Sequence, residues 1–185
     1  MQSPTIAPIK LVTKFESGPN AKFRKGILDN YGANLLRLAV EECDDKLTKL
    51  ARHQHGPAVN ALIDYINADR KSKFNGVLVN KYNDGFDYIS PHSDKYGLDK
   101  EAGVVILSYG ATRTMTFELR SNAPPNSQRL SGELFKNLPL EHNSISIMEG
   151  YMFHKTYTHE LKKEKTCTEP SILFTIGVAL PVLCQ

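Results

Sequence analysis

What most constrains the fold of this chain is a change of hydrophobic period part-way along it. From about Leu35 to residue 71 apolar residues recur at helical spacing, and beyond Asn75 they recur in short β-branched, alternating or apolar runs. In "GPAVNALIDYINADRK", Val59, Leu62, Ile63 and Ile66 follow the i, i+3, i+4, i+7 template, and Pro57 suits a first helical turn. A second helical stretch is predicted from about Leu35 to Arg52. Further on, "NGVLVNKYN" (75–83), "AGVVILSYG" (102–110), "TRTMTFEL" (112–119), "NSISIME" (143–149) and "SILFTIGVAL" (171–180) read as strands, punctuated by Gly, Asn, Pro and Asp. Helices first and strands afterwards argue against a doubly wound parallel sheet, in which the two alternate. The expectation is an α+β chain whose N-terminal helices buttress a two-sheet, jelly-roll-like sandwich. Residues 1–25, broken by Pro4, Pro8, Gly18 and Pro19, read as an arm of turns and short extended pieces, which leaves 26–185 as one domain.

A chain of 185 residues suffices for one packed domain and is short for two. No window approaches the run of about eighteen apolar residues that spans a membrane. The opening "MQSPTIAPIKLVTKF" lacks a charged-then-apolar signal pattern, so an intracellular protein, cytoplasmic or nuclear and free of membrane, is expected. Cys43, Cys167 and Cys184 lie far apart and form no CxxC pair, which argues against a disulfide framework or a zinc knuckle. A net charge of +3 permits a nucleic-acid partner without demanding one. Lys10, Lys14, Lys22, Arg24 and Lys25 make the arm basic, which suits either a phosphate backbone or plain solvation.

The chemistry concentrates in "VNKYNDGFDYISPHSDK" (79–95), where His92 and Asp94 stand two apart. In extended backbone their side chains share one side, with Ser93 opposed. An imidazole and a carboxylate so placed are two legs of a metal site. A histidine from a distant strand would complete the 2-His-1-carboxylate triad of non-haem Fe(II) oxygenases, which leaves coordination positions open. Chance is the competing reading, since a lone His-x-Asp decides nothing. His53 and His55 of "RHQHG" read as solvated or capping residues, and His142 as a turn residue. His154 and His159 both follow the strand 143–149, and either could be the third ligand.

The run "NGVLVNKYNDGFDYISPHSD" resembles the AlkB family of Fe(II)- and 2-oxoglutarate-dependent dioxygenases. Its pattern "xLxNxYxxGxDxIxxHxD" is matched without insertion by Leu78, Asn80, Tyr82, Gly85, Asp87, Ile89, His92 and Asp94. "VVILSYGATRTMTFELR" is similar to the family's next strand pair through Ser108, Gly110, Arg113 and Phe117, and "NSISIMEGYMFHKTYTHEL" to the strand that leads to its last histidine. The resemblance covers roughly residues 60–180 and implies a double-stranded β-helix core. It implies Fe(II) held by His92, Asp94 and a third histidine, with His159 favoured over His154 because it precedes a leucine in "THEL". It implies 2-oxoglutarate as cosubstrate, its carboxylates hydrogen-bonded by Asn80 and Tyr82. The activity implied is oxidative removal of methyl or small alkyl groups from DNA or RNA bases by a monomer, with a single strand the easier target because its bases need less extrusion.

One motif departs. The family closes on Arg-x-Asn-Leu-Thr-Phe-Arg, whose first arginine grips the distal carboxylate of 2-oxoglutarate as a fork. This chain has "SILFTIG" there, with Ser171 and Gly177 at the two arginine positions. Ser171 offers one neutral hydrogen bond. Three readings stay open: a cation from Lys162, Lys163, Lys165, Arg113 or Arg120 takes over; the same fold oxidises a protein or small molecule; or the chain is a decayed nucleic-acid-binding module. Tyr31, Tyr65, Tyr88, Tyr96, Phe86 and Phe153 are the aromatic candidates for stacking on a base.

Overall fold

In a computed structural model, residues 9–16, 22–43, 49–51, 55–94, 103–127 and 137–178 are described. In chain order the elements are β1 (Lys10–Glu16), β2 (Lys22–Ile27), α1 (Asn30–Glu42), β3 (Lys49–Ala51), α2 (Pro57–Arg70), β4 (Gly76–Tyr82), β5 (Ile89–His92), β6 (Val104–Gly110) and β7 (Arg113–Leu119). They continue with β8 (Leu138–Leu140), β9 (Ser144–Glu149), α3 (Tyr151–Thr156), β10 (Tyr157–Leu161) and β11 (Ser171–Gly177).

The strands form two antiparallel sheets, one of seven strands in the order β1-β2-β9-β6-β11-β4-β3 and one of four in the order β5-β10-β7-β8. Period-two alternation divides the large sheet cleanly. Val77, Val79, Val105, Leu107, Ile145, Ile147, Phe174 and Ile176 face the helices, where Leu36, Leu62, Ile63 and Ile66 cover them. The intervening Val104, Ile106, Met148 and Leu173 pack with Phe117, Tyr157 and Leu161 of the small sheet. Each such aliphatic side chain taken from water contributes about 1.5–3 kcal/mol, so both faces of the large sheet stabilise the fold. The expected sandwich with buttressing helices is the architecture observed.

Two local expectations change. Helix α1 begins at Asn30 rather than Leu35 because the Asp29 carboxylate caps it, accepting the Gly32 N–H at 2.7 Å. It ends at Glu42, and Lys49–Ala51, expected to be helical, pairs as a strand with β4. The basic arm also differs: β1 and β2 are joined to the large sheet through β9. Lys25 is only 5% exposed and pairs with Glu141, while Arg24 lies 3.3 Å from Glu149, so neither is free for a phosphate. Among the described residues, no helix is long and apolar enough to cross a membrane.

Candidate functional site

Strand β4 delivers Asn80 and Tyr82 and runs into a loop that its own side chains shape. Asp87 Oδ2 accepts from Asn83 N at 2.7 Å and from Asn83 Nδ2 at 3.1 Å, and Asp84 Oδ1 accepts from Phe86 N at 2.8 Å. Gly85 is the point where this loop meets the β10–β11 connection. Its N–H donates to Cys167 O and its carbonyl accepts from Glu164 N, both at 2.7 Å. A Cβ here would stand 1.7 Å from the Glu164 carbonyl oxygen, so only glycine permits the approach.

Arg113 fastens the same junction from β7. It is 1% exposed; Nη1 donates to Asp84 O at 3.0 Å, and Nη2 donates to Asp87 O at 2.7 Å and Lys162 O at 2.9 Å. Its guanidinium carbon lies 5.4 Å from the centre of the Tyr82 ring. One buried cation thereby joins the loop entering β5 to the loop leaving β10, the two strands that carry the histidines of interest.

Those strands pair with His92 directly opposite His159, ring centres 4.3 Å apart. Asp94 follows, so that nitrogen and oxygen atoms of His92, Asp94 and His159 all fall within 4.8 Å of one another. Asp94 Oδ1 is 3.9 Å from His92 Nε2, and Oδ2 is 3.8 Å from His159 Nε2. These separations exceed hydrogen bonds and suit groups arranged around a shared ion. Burial pushes His159 down to about 3, helped by the neighbouring His92. The imidazole is therefore neutral at pH 7, the form that ligates a metal. Asp94 Oδ2 is buried without a hydrogen-bond partner among the described residues, and a divalent cation on this carboxylate would offset the cost of burying its charge. The residues present fit an Fe(II) ion.

His154 does not join that group. It is 2% exposed on α3, with Nδ1 3.5 Å from Asp94 Oδ2, and burial lowers it to about 4. His55, expected to be solvated, is buried at the approach to α2, while His142 is a turn residue whose Nδ1 accepts from Gly110 N at 3.0 Å. His53 lies outside the described residues.

The positions expected to receive a cosubstrate also come together. Ser171 of β11 pairs with Tyr82 of β4, and Leu173 pairs with Asn80. Ser171 and Tyr82 are buried, and Ser171 Oγ has no hydrogen-bond partner among the described residues. Burial raises the Tyr82 phenol to about 12, against the pull of Arg113, so it remains a donor. An open cavity of about 480 Å³ is lined by Asn80, Tyr82 and the loop residues Asn83, Phe86, Asp87 and Tyr88.

Of the candidate replacement cations, the three loop lysines are exposed: Lys162 stands 3.7 Å from Glu160, and Lys163 lies 4.5 Å over the Tyr88 ring. Arg120 donates to Ser93 Oγ at 3.3 Å and to His154 O at 3.0 Å. Arg113 is the one of them buried beside Tyr82, with its Nε lacking a hydrogen-bond partner among the described residues and 3.9 Å from Glu164. Among the aromatic candidates, Phe153 is buried against Phe23 and Phe117, and Tyr65 is buried with its hydroxyl on Asp29. Tyr31, Phe86 and Tyr88 are exposed, and Tyr96 lies outside the described residues.

Residues 24–176 match the family model of the 2OG-Fe(II) oxygenase superfamily. The chain is 30% identical over 104 residues to the DNA oxidative demethylase ALKBH2 of Homo sapiens, covering 56% of this chain and 38% of that protein. It is 30% identical over 130 residues to the same enzyme of Bos taurus, covering 68% of this chain and 44% of the relative. The chain thus spans less than half the length of either curated relative. Among solved structures it is similar in fold to OsALKBH1, with a TM-score of 0.56 at 12% identity over 90% of this chain and 100% of the other. AviO1 from Streptomyces viridochromogenes Tue57 gives a TM-score of 0.53 at 10% identity, over 88% of this chain and 91% of its own.

Proposed function

Because the chain belongs to the 2OG-Fe(II) oxygenase superfamily, whose metal is Fe(II) and whose cosubstrate is 2-oxoglutarate, we propose that it removes methyl or small alkyl groups oxidatively from nucleobases of DNA or RNA. The observation that carries this reading is the convergence of His92, Asp94 and His159 in a chain whose curated relatives are DNA oxidative demethylases. In this reading these three residues hold Fe(II). His92 and His159 each offer a nitrogen lone pair, and Asp94 supplies the negative charge and leaves coordination positions open. When bound, Fe(II) with 2-oxoglutarate and oxygen supplies the oxidising power that cleaves an N-methyl C–H bond.

The protein's own part is binding and orientation. Asn80 and Tyr82 donate hydrogen bonds to the cosubstrate carboxylates, and Ser171 adds one hydroxyl at the position where the family motif it resembles has arginine. Arg113 provides the buried positive charge beside Tyr82. With both Nη2 hydrogens already on carbonyls, it attracts a carboxylate by charge and by single hydrogen bonds from Nε or Nη1 rather than by a fork. A base must leave its stack to reach such a site, so a single strand is the preferred substrate, engaged by a monomer inside the cell.

Ser171 and Gly177 favour a second reading, the same oxygenase fold acting on a protein or small molecule. The test supplies Fe(II), 2-oxoglutarate and methylated or unmethylated oligonucleotides, and measures succinate and formaldehyde together. Succinate and formaldehyde rising in step with methylated oligonucleotide support demethylation. Succinate that no oligonucleotide stimulates favours the second reading, and no succinate at all leaves a binding module.

A further inference from the structure

Two buried polar groups face each other at the edge of the proposed ligand set, the Oδ2 of its member Asp94 and the ring of His154. Asp94 Oδ2 has no hydrogen-bond partner among the described residues, and His154 Nδ1 lies 3.5 Å from it, with the Met148 backbone the other hydrogen-bonding group at the ring. Both ends of such a gap are costly to leave unpaired. A shift of a few tenths of an ångström would bring them to ordinary hydrogen-bond distance.

The backbone of His154 is directed at the same place. Arg120 reaches from the end of β7, and its Nη1 donates both to the His154 carbonyl at 3.0 Å and to Ser93 Oγ at 3.3 Å. Ser93 is the residue between the two proposed ligands of the His-x-Asp pair, and it is buried. Arg120 thus ties α3 to that segment, while the His154 ring stands nearest Asp94 Oδ2, as His159 does at 3.8 Å, and His92 stands nearest Oδ1. Thr156 Oγ1 adds a bond of 2.7 Å to Met152 O within α3, which steadies the turn that presents the ring.

We propose that His154 is a positioning residue for the metal centre: its Nδ1–H donates to Asp94 Oδ2, leaving Oδ1, which faces His92, to ligate the metal. The inference rests on the reading that His92, Asp94 and His159 hold the metal. Its physical content is that a carboxylate held by one oxygen keeps open the position that two-oxygen ligation would fill. Outer hydrogen bonds of this kind typically change metal affinity by about 10- to 100-fold. Arg120 supports the arrangement through the His154 backbone.

The experiment is a Mn(II) titration of the full chain, read by loss of the free-ion EPR signal, with folding checked by circular dichroism. Four variants are compared with the parent: His154→Ala, His154→Phe, His154→Asn and His92→Ala. Phenylalanine fills the ring volume without a donor, so it serves if the alanine variant does not fold; asparagine places an amide N–H near the Nδ1 position. The expected result is a Kd weakened about 10- to 100-fold in the alanine and phenylalanine variants, largely restored by asparagine, with binding lost in His92→Ala. Parent-like affinity in His154→Phe, with binding still lost in His92→Ala, overturns the positioning role and leaves the metal site standing. An asparagine variant as weak as the phenylalanine variant also overturns it, since the donor would then not be the working element. Parent-like affinity in His92→Ala overturns the metal site and the inference with it.

Discussion

Replacing Arg113 by methionine tests how firmly the two loops of the site depend on one side chain. The change removes donors to the carbonyls of Asp84, Asp87 and Lys162 and takes the cation away from Glu164, at a position 1% exposed. A hydrogen bond to a charged group is worth about 1.5–3 kcal/mol, so three would total roughly 4.5–9 kcal/mol if nothing relaxed. Relaxation is available: methionine keeps apolar contact with Tyr82, and the loop carbonyls can turn toward water. Removing one partner of a buried charged set costs about 3–5 kcal/mol, and that is the expected loss. For a chain of this size it lowers the midpoint of thermal unfolding by about 10–15 °C. Urea unfolding followed by circular dichroism measures the loss directly. Hydrogen exchange at the Gly85 and Glu164 amides, which pair the two loops, should accelerate first. Arg113→Lys keeps the charge but not the planar fork, and falls between parent and methionine. A loss below about 1 kcal/mol with an unchanged urea slope would refute the claim that Arg113 holds the loops together.

Gly85→Ala should be as damaging despite adding one methyl, because its Cβ meets backbone at 1.7 Å; thermal unfolding should show the two loops parting, and a parent-like midpoint would contradict the close approach. Metal-free protein should lose stability as pH falls from about 6.5 toward 4. His154 and His159 are held neutral in the fold, at about 4 and about 3, while the unfolded chain takes up protons from about 6.5, so stability rises with pH across that window. Urea midpoints in EDTA across the range check the sign, and a flat profile would contradict the burial argument. Ser171→Ala should weaken 2-oxoglutarate binding severalfold while sparing Mn(II) affinity; the visible charge-transfer band of the anaerobic Fe(II) complex reports the first, and an unchanged titration would remove Ser171 from the cosubstrate site. Bound Mn(II) should raise the unfolding free energy by about 2.7 kcal/mol at a hundredfold excess over its Kd, and His159→Ala should abolish the gain in the same melts.

Much of the architecture was legible because long apolar strands carry their own period. β4, β6, β7, β9 and β11 are alternating or continuous apolar runs within six or seven residues, bounded by turn residues, so their strand character did not depend on neighbours. The shorter strands were not legible. β8 has three residues around Pro139, and β5 has four with Pro91 inside, and such segments are extended only because a partner strand pairs with them. The same holds for Lys49–Ala51, whose pairing with β4 overrode a helical pattern.

The site divides along the same line. His92 and Asp94, with Asn80 and Tyr82 before them, are local: a spacing of two along extended chain sets which side chains share a face, and sequence alone determines it. The choice between His154 and His159 is not local. Both lie in a short run after β9, and only the change from α3 to β10 at Tyr157 puts one across from His92 and the other behind Asp94. Arg113 is the extreme case, since its acceptors lie 26 to 49 residues away and belong to two different loops. A buried charge takes its meaning from whatever the folded chain brings to it, and that assembly exists only in three dimensions.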